Sequence, residues 1–318
     1  MNPLKMMNRP VFLALVAILT APVAMAQIAS LGSDTHQIIS ARAAALGDSY
    51  SSDAFDAMIM YWNPAGLTHL RRQSLSVNSA IEQDDFDDRL ITENVTLPIP
   101  VVQDWGLGVG LTSTSVGSIP AGSPLQGLNF SIFRFDIAAS TAVSPFISIG
   151  AGATVRLGSG GGRSITAFSG SIGAIYSPNA VVSYSLAAQG FGDGVDFGVD
   201  ENQHTLLNKS NLPRSVVAGL LARTPEKSIA QFTLTAEGEK IVNESGIVYK
   251  GGIEGLATPF LALRLGYWVG PNTRAARYGA GLILGDFMLD YAIAPSRLEP
   301  RYQQFSLSYN LQRRTGKN

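Results

Sequence analysis

An unbroken alternation of apolar and polar side chains marks the C-terminal end of the sequence. Residues 304–311 read QFSLSYNL, with aromatic and leucine side chains on one phase and serine or asparagine on the other. The same alternation runs through residues 287–294 (FMLDYAIA) and 261–269 (LALRLGYWV). A period of two over eight or more residues is typical of a β-strand whose two faces meet different surroundings.

The same template, applied backwards along the chain, predicts fourteen strands. The predicted strands cover residues 73–81, 89–98, 105–114, 129–143, 146–157, 164–177, 181–190, 213–223, 228–240, 245–256, 260–270, 277–284, 286–294 and 302–311. Connections after even-numbered strands are mostly tight, as at Ser144-Pro145, whereas those after odd-numbered strands are mostly longer and more polar, as at 191–212. Short turns on one rim and long loops on the other are typical of an outer-membrane barrel with periplasmic termini.

Composition agrees with an all-β, transmembrane antiparallel β-barrel of about 14 strands. The sequence has 33 glycines and only 15% charged residues, against ~25% in an average soluble domain. A lipid-facing band needs apolar side chains at every second position, while a lumen accepts Ser, Thr, Gly and scattered charges. The chain has no cysteine for disulfide or thiol chemistry, and its net charge of −1 predicts no nucleic-acid partner.

The N-terminus predicts export. Lys5 and Arg9 precede a mostly apolar stretch, and Ala24-Met25-Ala26 is an A-x-A cleavage site, so residues 1–26 are predicted to be a signal peptide cleaved after Ala26. The alternative is an anchor that is never removed. We predict an N-terminal hatch over 27–72, a barrel over 73–312, a periplasmic tail over 313–318, and location in the outer membrane of a two-membrane bacterium.

The predicted hatch has helical rather than strand spacing. Ala54, Met58 and Tyr61 recur at helical intervals, Asp53 is placed to start a helix, and Pro64 is placed to stop it. A fourteen-stranded barrel leaves a lumen wide enough to need a plug or to conduct water. We therefore predict a helical plug inside the lumen. The alternative is an amphipathic helix packed below the barrel in the periplasm.

Two motifs in this region carry a family resemblance. The stretches 41–48 (ARAAALGD) and 62–67 (WNPAGL) resemble the N-terminal signature of the PorV/PorQ family, within the FadL-like group of outer-membrane barrels. Asp48 stands where many members have a second glycine. The resemblance implies a fourteen-stranded barrel with an N-terminal hatch. It assigns the hatch motif to Arg42, Gly47, Asp48, Asn63, Pro64, Ala65 and Gly66.

The resemblance implies two functions. PorV-like members are associated with type IX secretion, where the barrel receives exported cargo, whereas FadL-like members pass hydrophobic molecules through the barrel wall. A structural or surface-binding barrel is a third possibility that the residues leave open. The expected partners are outer-membrane lipids and the barrel-assembly machinery, together with secretion-translocon components or hydrophobic ligands.

Catalytic and metal-binding chemistry is not predicted. The only histidines are His36, His69 and His204, none on a predicted strand, and no G-x-S-x-G nucleophile elbow occurs. The acidic stretch 82–88 lacks the spacing and glycine of an EF-hand and is interpreted as a solvated loop. We expect no enzyme activity, no cofactor and no metal.

Four charged residues occupy the polar phase of predicted strands and are expected to face the lumen. They are Glu237, Glu254, Arg264 and Asp290. These charges either line a pathway or pair with one another and with hatch residues to lock the plug. We favour the structural role, because an unpaired charge in a narrow lumen is costly. Asp53 and Asp56 of the hatch are the alternative partners for Arg264.

Overall fold

A computed structural model describes residues 39–70, 72–83, 89–100, 105–116, 130–160, 163–192, 214–225, 228–242, 244–271, 274–294 and 301–311. The predicted signal peptide, the first part of the predicted hatch, the predicted tail, His36, His204 and most of the acidic stretch lie outside the described residues. The described strands are β1 Ser74–Gln83, β2 Arg89–Pro100, β3 Trp105–Val116, β4 Phe130–Ser144, β5 Ile147–Gly160, β6 Arg163–Tyr176, β7 Val182–Gly192, β8 Ser215–Arg223, β9 Phe232–Ile241, β10 Val248–Thr258, β11 Leu261–Val269, β12 Arg274–Leu284, β13 Phe287–Ala294 and β14 Arg301–Asn310.

These strands form one closed antiparallel barrel. Each strand pairs with the next along the chain, and β1 pairs with β14 through a register that runs from Ser74 opposite Asn310 to Gln83 opposite Arg301. Closure leaves no strand edge unpaired, which is the arrangement a sheet needs where water cannot satisfy backbone groups. The prediction of a fourteen-stranded antiparallel barrel is confirmed.

The two faces of the wall differ as the alternation predicted. On β11, Leu265 and Tyr267 are 49% and 47% exposed on the outside, whereas Arg264 and Trp268 are 4% and 1% exposed on the inside. Large apolar side chains recur on the outer face of the other strands. A continuous apolar outer surface of this kind suits contact with lipid, because a soluble protein rarely exposes such an area.

Most strands begin within two residues of the predicted position, and three begin three or four residues away from it. β9 begins at Phe232 rather than at 228, because the Phe232 N–H donates to the Thr224 hydroxyl and closes a turn before the strand. β10 begins at Val248 rather than at 245, because Lys240 donates to the carbonyl oxygens of Glu244 and Gly246 and holds that connection folded. β12 begins three residues earlier than predicted, at Arg274.

Residues 39–70, which we call the N-terminal segment, contain one short α-helix and two 3₁₀ turns. Helix α1, Ala41–Ala45, begins after Ser40, whose hydroxyl accepts from the Ala43 N–H. The 3₁₀ turns cover Ala57–Tyr61 and Pro64–His69. Among the described helices, none is long and apolar enough to cross a membrane.

The predicted helix starting near Asp53 is wrong in extent and in type. The Asp56 side chain accepts from the Met58 N–H and starts the first 3₁₀ turn there, while Asn63 caps the second turn in the same way. Pro64 stands at the first position of that second turn, where its fixed φ favours a helical start. Pro64 therefore begins a turn rather than ending a helix.

Candidate functional site

The N-terminal segment packs against the inward-facing side of the barrel wall, and wall glycines allow its backbone to approach. A Cβ atom on Gly266 of β11 would lie 2.1 Å from the backbone nitrogen of Gly47. A Cβ atom on Gly106 of β3 would lie 2.3 Å from the carbonyl oxygen of Leu67. Any other residue at these two wall positions would displace the segment. The segment therefore lies against β11 near Gly47 and against β3 near Leu67, and these two strands are far apart in the barrel order.

A chain of buried ion pairs ties the N-terminal segment to the wall, and we call it the ion-pair chain. Arg42 of α1 binds Asp53 with 2.7 Å from Nη1 to Oδ2, and Glu254 of β10 with 2.8 Å from Nη2 to Oε1. Arg264 of β11 binds Glu254 with 2.6 Å from Nε to Oε2, and Asp290 of β13 with 2.7 Å from Nη1 to Oδ1. These side chains are at most 11% exposed, so each charge depends on its partners rather than on water.

The pairing of Arg264 with Asp290 requires an unusually open position between them. β12 runs between their strands, with Gly279 opposite Arg264 and Gly281 opposite Asp290. A Cβ atom on Gly281 would lie 2.4 Å from Asp290 Oδ1 and 2.7 Å from Arg264 Nη2. The guanidinium therefore crosses β12 through the space that Gly281 leaves.

Further polar contacts hold the same half of the segment. Asp48, which has a positive φ of 57°, binds Arg277 of β12 with 2.9 Å from Oδ2 to Nη1. The Ser51 N–H donates to Glu237 of β9, and the Ser51 and Ser185 hydroxyl oxygens lie 2.7 Å apart. The predicted residues Gly47, Asp48, Glu237, Glu254, Arg264 and Asp290 are therefore brought to one side of the lumen.

The other half of the segment is held by neutral contacts. The Asn63 side chain donates to the carbonyl oxygen of Ala174 on β6 and accepts from the Ala65 N–H. The Tyr61 hydroxyl accepts from the side chains of Asn94 and Thr96 on β2. The motif residues Asn63, Pro64, Ala65 and Gly66 are buried here, away from the ion-pair chain.

Among the acidic residues of the described segment, Asp48 and Asp53 form ion pairs, whereas Asp56 is held by hydrogen bonds. Its Oδ1 accepts from the Met58 N–H at 3.0 Å and from the Tyr50 hydroxyl at 3.3 Å. Burial raises the pKa of the Asp56 carboxyl to about 6, although the charge of Arg42 opposes this rise. Asp56 is not a partner of Arg264, and neither is Asp53, which binds Arg42 instead.

A cavity of about 60 Å³ remains between Tyr61 of the N-terminal segment and the wall. It lies towards the strand ends that lead into the longer connections. The charged and amide side chains at its surface are Arg134, Asp136, Arg156, Gln189 and Glu239. Gln189 stands at an irregularity in the pairing of β6 with β7, next to Gly190 with φ of 74°, and its amide donates to the carbonyl oxygen of Trp62. Among the described residues, no group of acidic or histidine side chains is arranged to hold a metal ion.

Several functional candidates were missed by sequence reasoning although they share the signal that identified the others. Lys250 of β10 pairs with Glu239 of β9 at 2.6 Å, and both side chains face the lumen. Arg134 and Asp136 of β4 do the same, with 2.8 Å between Nε and Oδ1. Each lies on the inward phase of an alternating strand, so the phase alone could have found them.

No protein-family model matches the sequence, and no curated protein matches it. The fold, however, is close to that of solved channels. The Pseudomonas putida toluene transporter TodX is 12% identical with a TM-score of 0.62, over 86% of this chain and 96% of that chain. This chain shares the barrel fold of that transporter.

Two further solved structures have a similar fold. The Ralstonia pickettii toluene transporter TbuX is 12% identical with a TM-score of 0.57, over 84% of this chain and 96% of that chain. A Pseudomonas aeruginosa FadL homologue is 13% identical with a TM-score of 0.53, over 84% of this chain and 96% of that chain. At these identities the likeness is one of fold, and it covers nearly the whole length of the channels.

Proposed function

We propose that this chain is an outer-membrane channel for small molecules whose lumen is closed by the N-terminal segment. The FadL-like fold and the apolar outer surface of the wall support an outer-membrane location. The similar structures are described as transporters or channels for toluene and monoaromatic hydrocarbons, which supports transport as the class of activity. The segment then acts as a hatch.

The observation that carries this proposal is how the lumen is filled. Wall side chains fill the interior of a barrel of about eight strands, whereas a wider barrel leaves a lumen that is either open or plugged. Here the wall presents glycines such as Gly106 and Gly266, and a separate segment of the chain takes up the space. That segment is joined to the wall through β1 and held by ion pairs, hydrogen bonds and apolar packing such as that of α1 against Ala292 and Ala294. None of these contacts belongs to the strand pairing of the barrel, so movement of the segment would open the lumen and leave the barrel closed.

A reversible cross-link tests the proposal. Ser51 and Ser185 lie with their hydroxyl oxygens 2.7 Å apart, so Ser51→Cys with Ser185→Cys places two thiols within reach of a disulfide. The natural chain has no cysteine, so only this pair can form. We expect proteoliposomes with the reduced double variant to admit small solutes and those with the oxidised form to admit far less. Equal permeation in both states contradicts a mobile segment, and none in either contradicts a channel.

A secretion role is the second candidate, and the PorV/PorQ-like motifs favour it. Arg42 and Asn63 of those motifs are buried against the wall, which suits a barrel that stays closed and acts through its rim. Deletion of the gene would then remove cargo proteins from the cell surface while leaving small-solute permeability unchanged. The opposite pair of results favours the channel.

A further inference from the structure

The cavity beside Tyr61 has a surface unlike that expected for a hydrocarbon. Charged and amide groups line it, and its volume of about 60 Å³ holds roughly four to six groups of water size. A compact polar molecule with five or six heavy atoms fits that space. A hydrocarbon there would make no hydrogen bond to these charged and amide groups, whereas a polar molecule would.

Two arginines lie side by side on neighbouring strands at this cavity. Arg134 of β4 is the register partner of Arg156 of β5, and both side chains are on the lumen face. Arg134 Nε donates to Asp136 Oδ1 at 2.8 Å, and Arg156 Nη1 donates to the Ser169 hydroxyl at 2.8 Å. The pair provides planar donors suited to a carboxylate.

Asp136 supplies a hydrogen-bond acceptor beside these arginine donors. Its Oδ1 accepts both from Arg134 Nε at 2.8 Å and from the Thr154 hydroxyl at 2.6 Å. Its Oδ2 has no hydrogen-bond partner within the part of the chain that the structure describes, and the residue is only 3% exposed. A buried carboxylate oxygen without a donor is costly, so a donor from a ligand is favourable there.

We propose that this cavity binds the α-amino acid group, with its carboxylate on Arg134 and Arg156 and its ammonium on Asp136 Oδ2. That group has five heavy atoms and carries its two charges on neighbouring carbons, which matches the volume and the 2.8 Å between Arg134 Nε and Asp136 Oδ1. The interpretation of the amino acid as a transported molecule rests on the proposed channel function. Binding itself does not depend on it.

Three probes that share parts of the amino acid group test the proposal on the purified full-length barrel. L-alanine carries both charges, acetate only the carboxylate, and ethylamine only the ammonium. Titrations followed by saturation-transfer NMR should show L-alanine binding at least about tenfold more tightly than either partial probe, as expected for losing one hydrogen bond to a charged group. This comparison needs no variant.

Two substitutions then assign the charges. Asp136→Asn should weaken L-alanine binding about tenfold or more and leave acetate binding nearly unchanged, whereas Arg156→Gln should weaken both. Lys240→Gln, which removes an exposed cation at the rim, is the matched control and should change neither.

The proposal is overturned if wild-type protein binds acetate as tightly as L-alanine, if no probe binds, or if both substitutions leave binding unchanged. Permeation is measured separately in proteoliposomes. Binding of L-alanine without solute permeation removes the channel function and leaves the site. Permeation without L-alanine binding removes the site and leaves the channel.

Discussion

Arg264 on β11 binds Asp290 on β13 with 2.7 Å from Nη1 to Oδ1, across the full width of β12. Strands two apart in a sheet are separated by about 9.5 Å, so the contact uses most of the arginine's length. Arg264 also binds Glu254, which in turn binds Arg42 of the N-terminal segment. The wall and the segment therefore share one chain of ion pairs. We expect a substitution in the wall part of this chain to weaken the attachment of the segment in the lumen.

Breaking that chain at Arg264 should cost stability in a coupled way. Arg264→Ala leaves Asp290 buried without its cation, and the free energy of unfolding should fall by about 3–5 kcal/mol. Asp290→Asn removes the stranded charge, so the double variant should recover part of that loss. Urea unfolding in liposomes measures all four proteins. Small and strictly additive losses would show that the two residues do not act as a lock.

The seat of the segment at Gly266 should not tolerate a side chain. Gly266→Ala places a Cβ atom 2.1 Å from the Gly47 nitrogen, so the segment must move away from β11. We expect a loss of about 1–3 kcal/mol in unfolding free energy and faster solute permeation. Gly238→Ala is the matched control, since its Cβ atom would meet only Ile247 at an ordinary 3.7 Å. Equal behaviour of the two variants would argue against a seat at Gly266.

Asp56 should make stability depend on pH. Its pKa is about 6 in the folded protein and 3.8 in the unfolded chain, so between these values the folded state holds a proton that the unfolded state has released. The free energy of unfolding should therefore fall as pH rises from about 4 to 6, by up to about 3 kcal/mol. Asp56→Asn, which keeps a capping oxygen, should lack this part of the pH dependence. Parallel urea titrations at several pH values compare the two proteins, and identical slopes would contradict the assignment.

The barrel could be predicted from the sequence because a period of two is a local signal. Alternation identified the strands and placed Arg264 and Asp290 on the inward phase, where the structure has them. Their pairing could not be predicted, since it depends on the register of β12 and on the space at Gly281. The alternation along a strand predicts which face of the sheet a side chain is on, but it does not predict which residue of another strand lies next to it.

The N-terminal segment was predicted less well, for a different reason. Its apolar residues recur at helical spacing, but the side chains of Asp56 and Asn63 bond to nearby backbone N–H groups and divide the stretch into two 3₁₀ turns. Arg42 was predicted only as part of a motif, and its place between Asp53 and Glu254 depends on contacts more than two hundred residues away in the case of Glu254. Tertiary contacts of this kind leave no periodic signal in the sequence.

The account rests on closure of the lumen by the N-terminal segment, and single-channel recording in planar bilayers tests this most directly. Residues 41–67 are deleted, which removes the ion pairs of Arg42 and Asp53 and the turn capped by Asn63. Heat-modifiable gel migration confirms that the shortened barrel has folded. The account predicts a clear rise in conductance over the complete chain, because the wall glycines then face open water. Unchanged conductance in a folded deletion variant would contradict it.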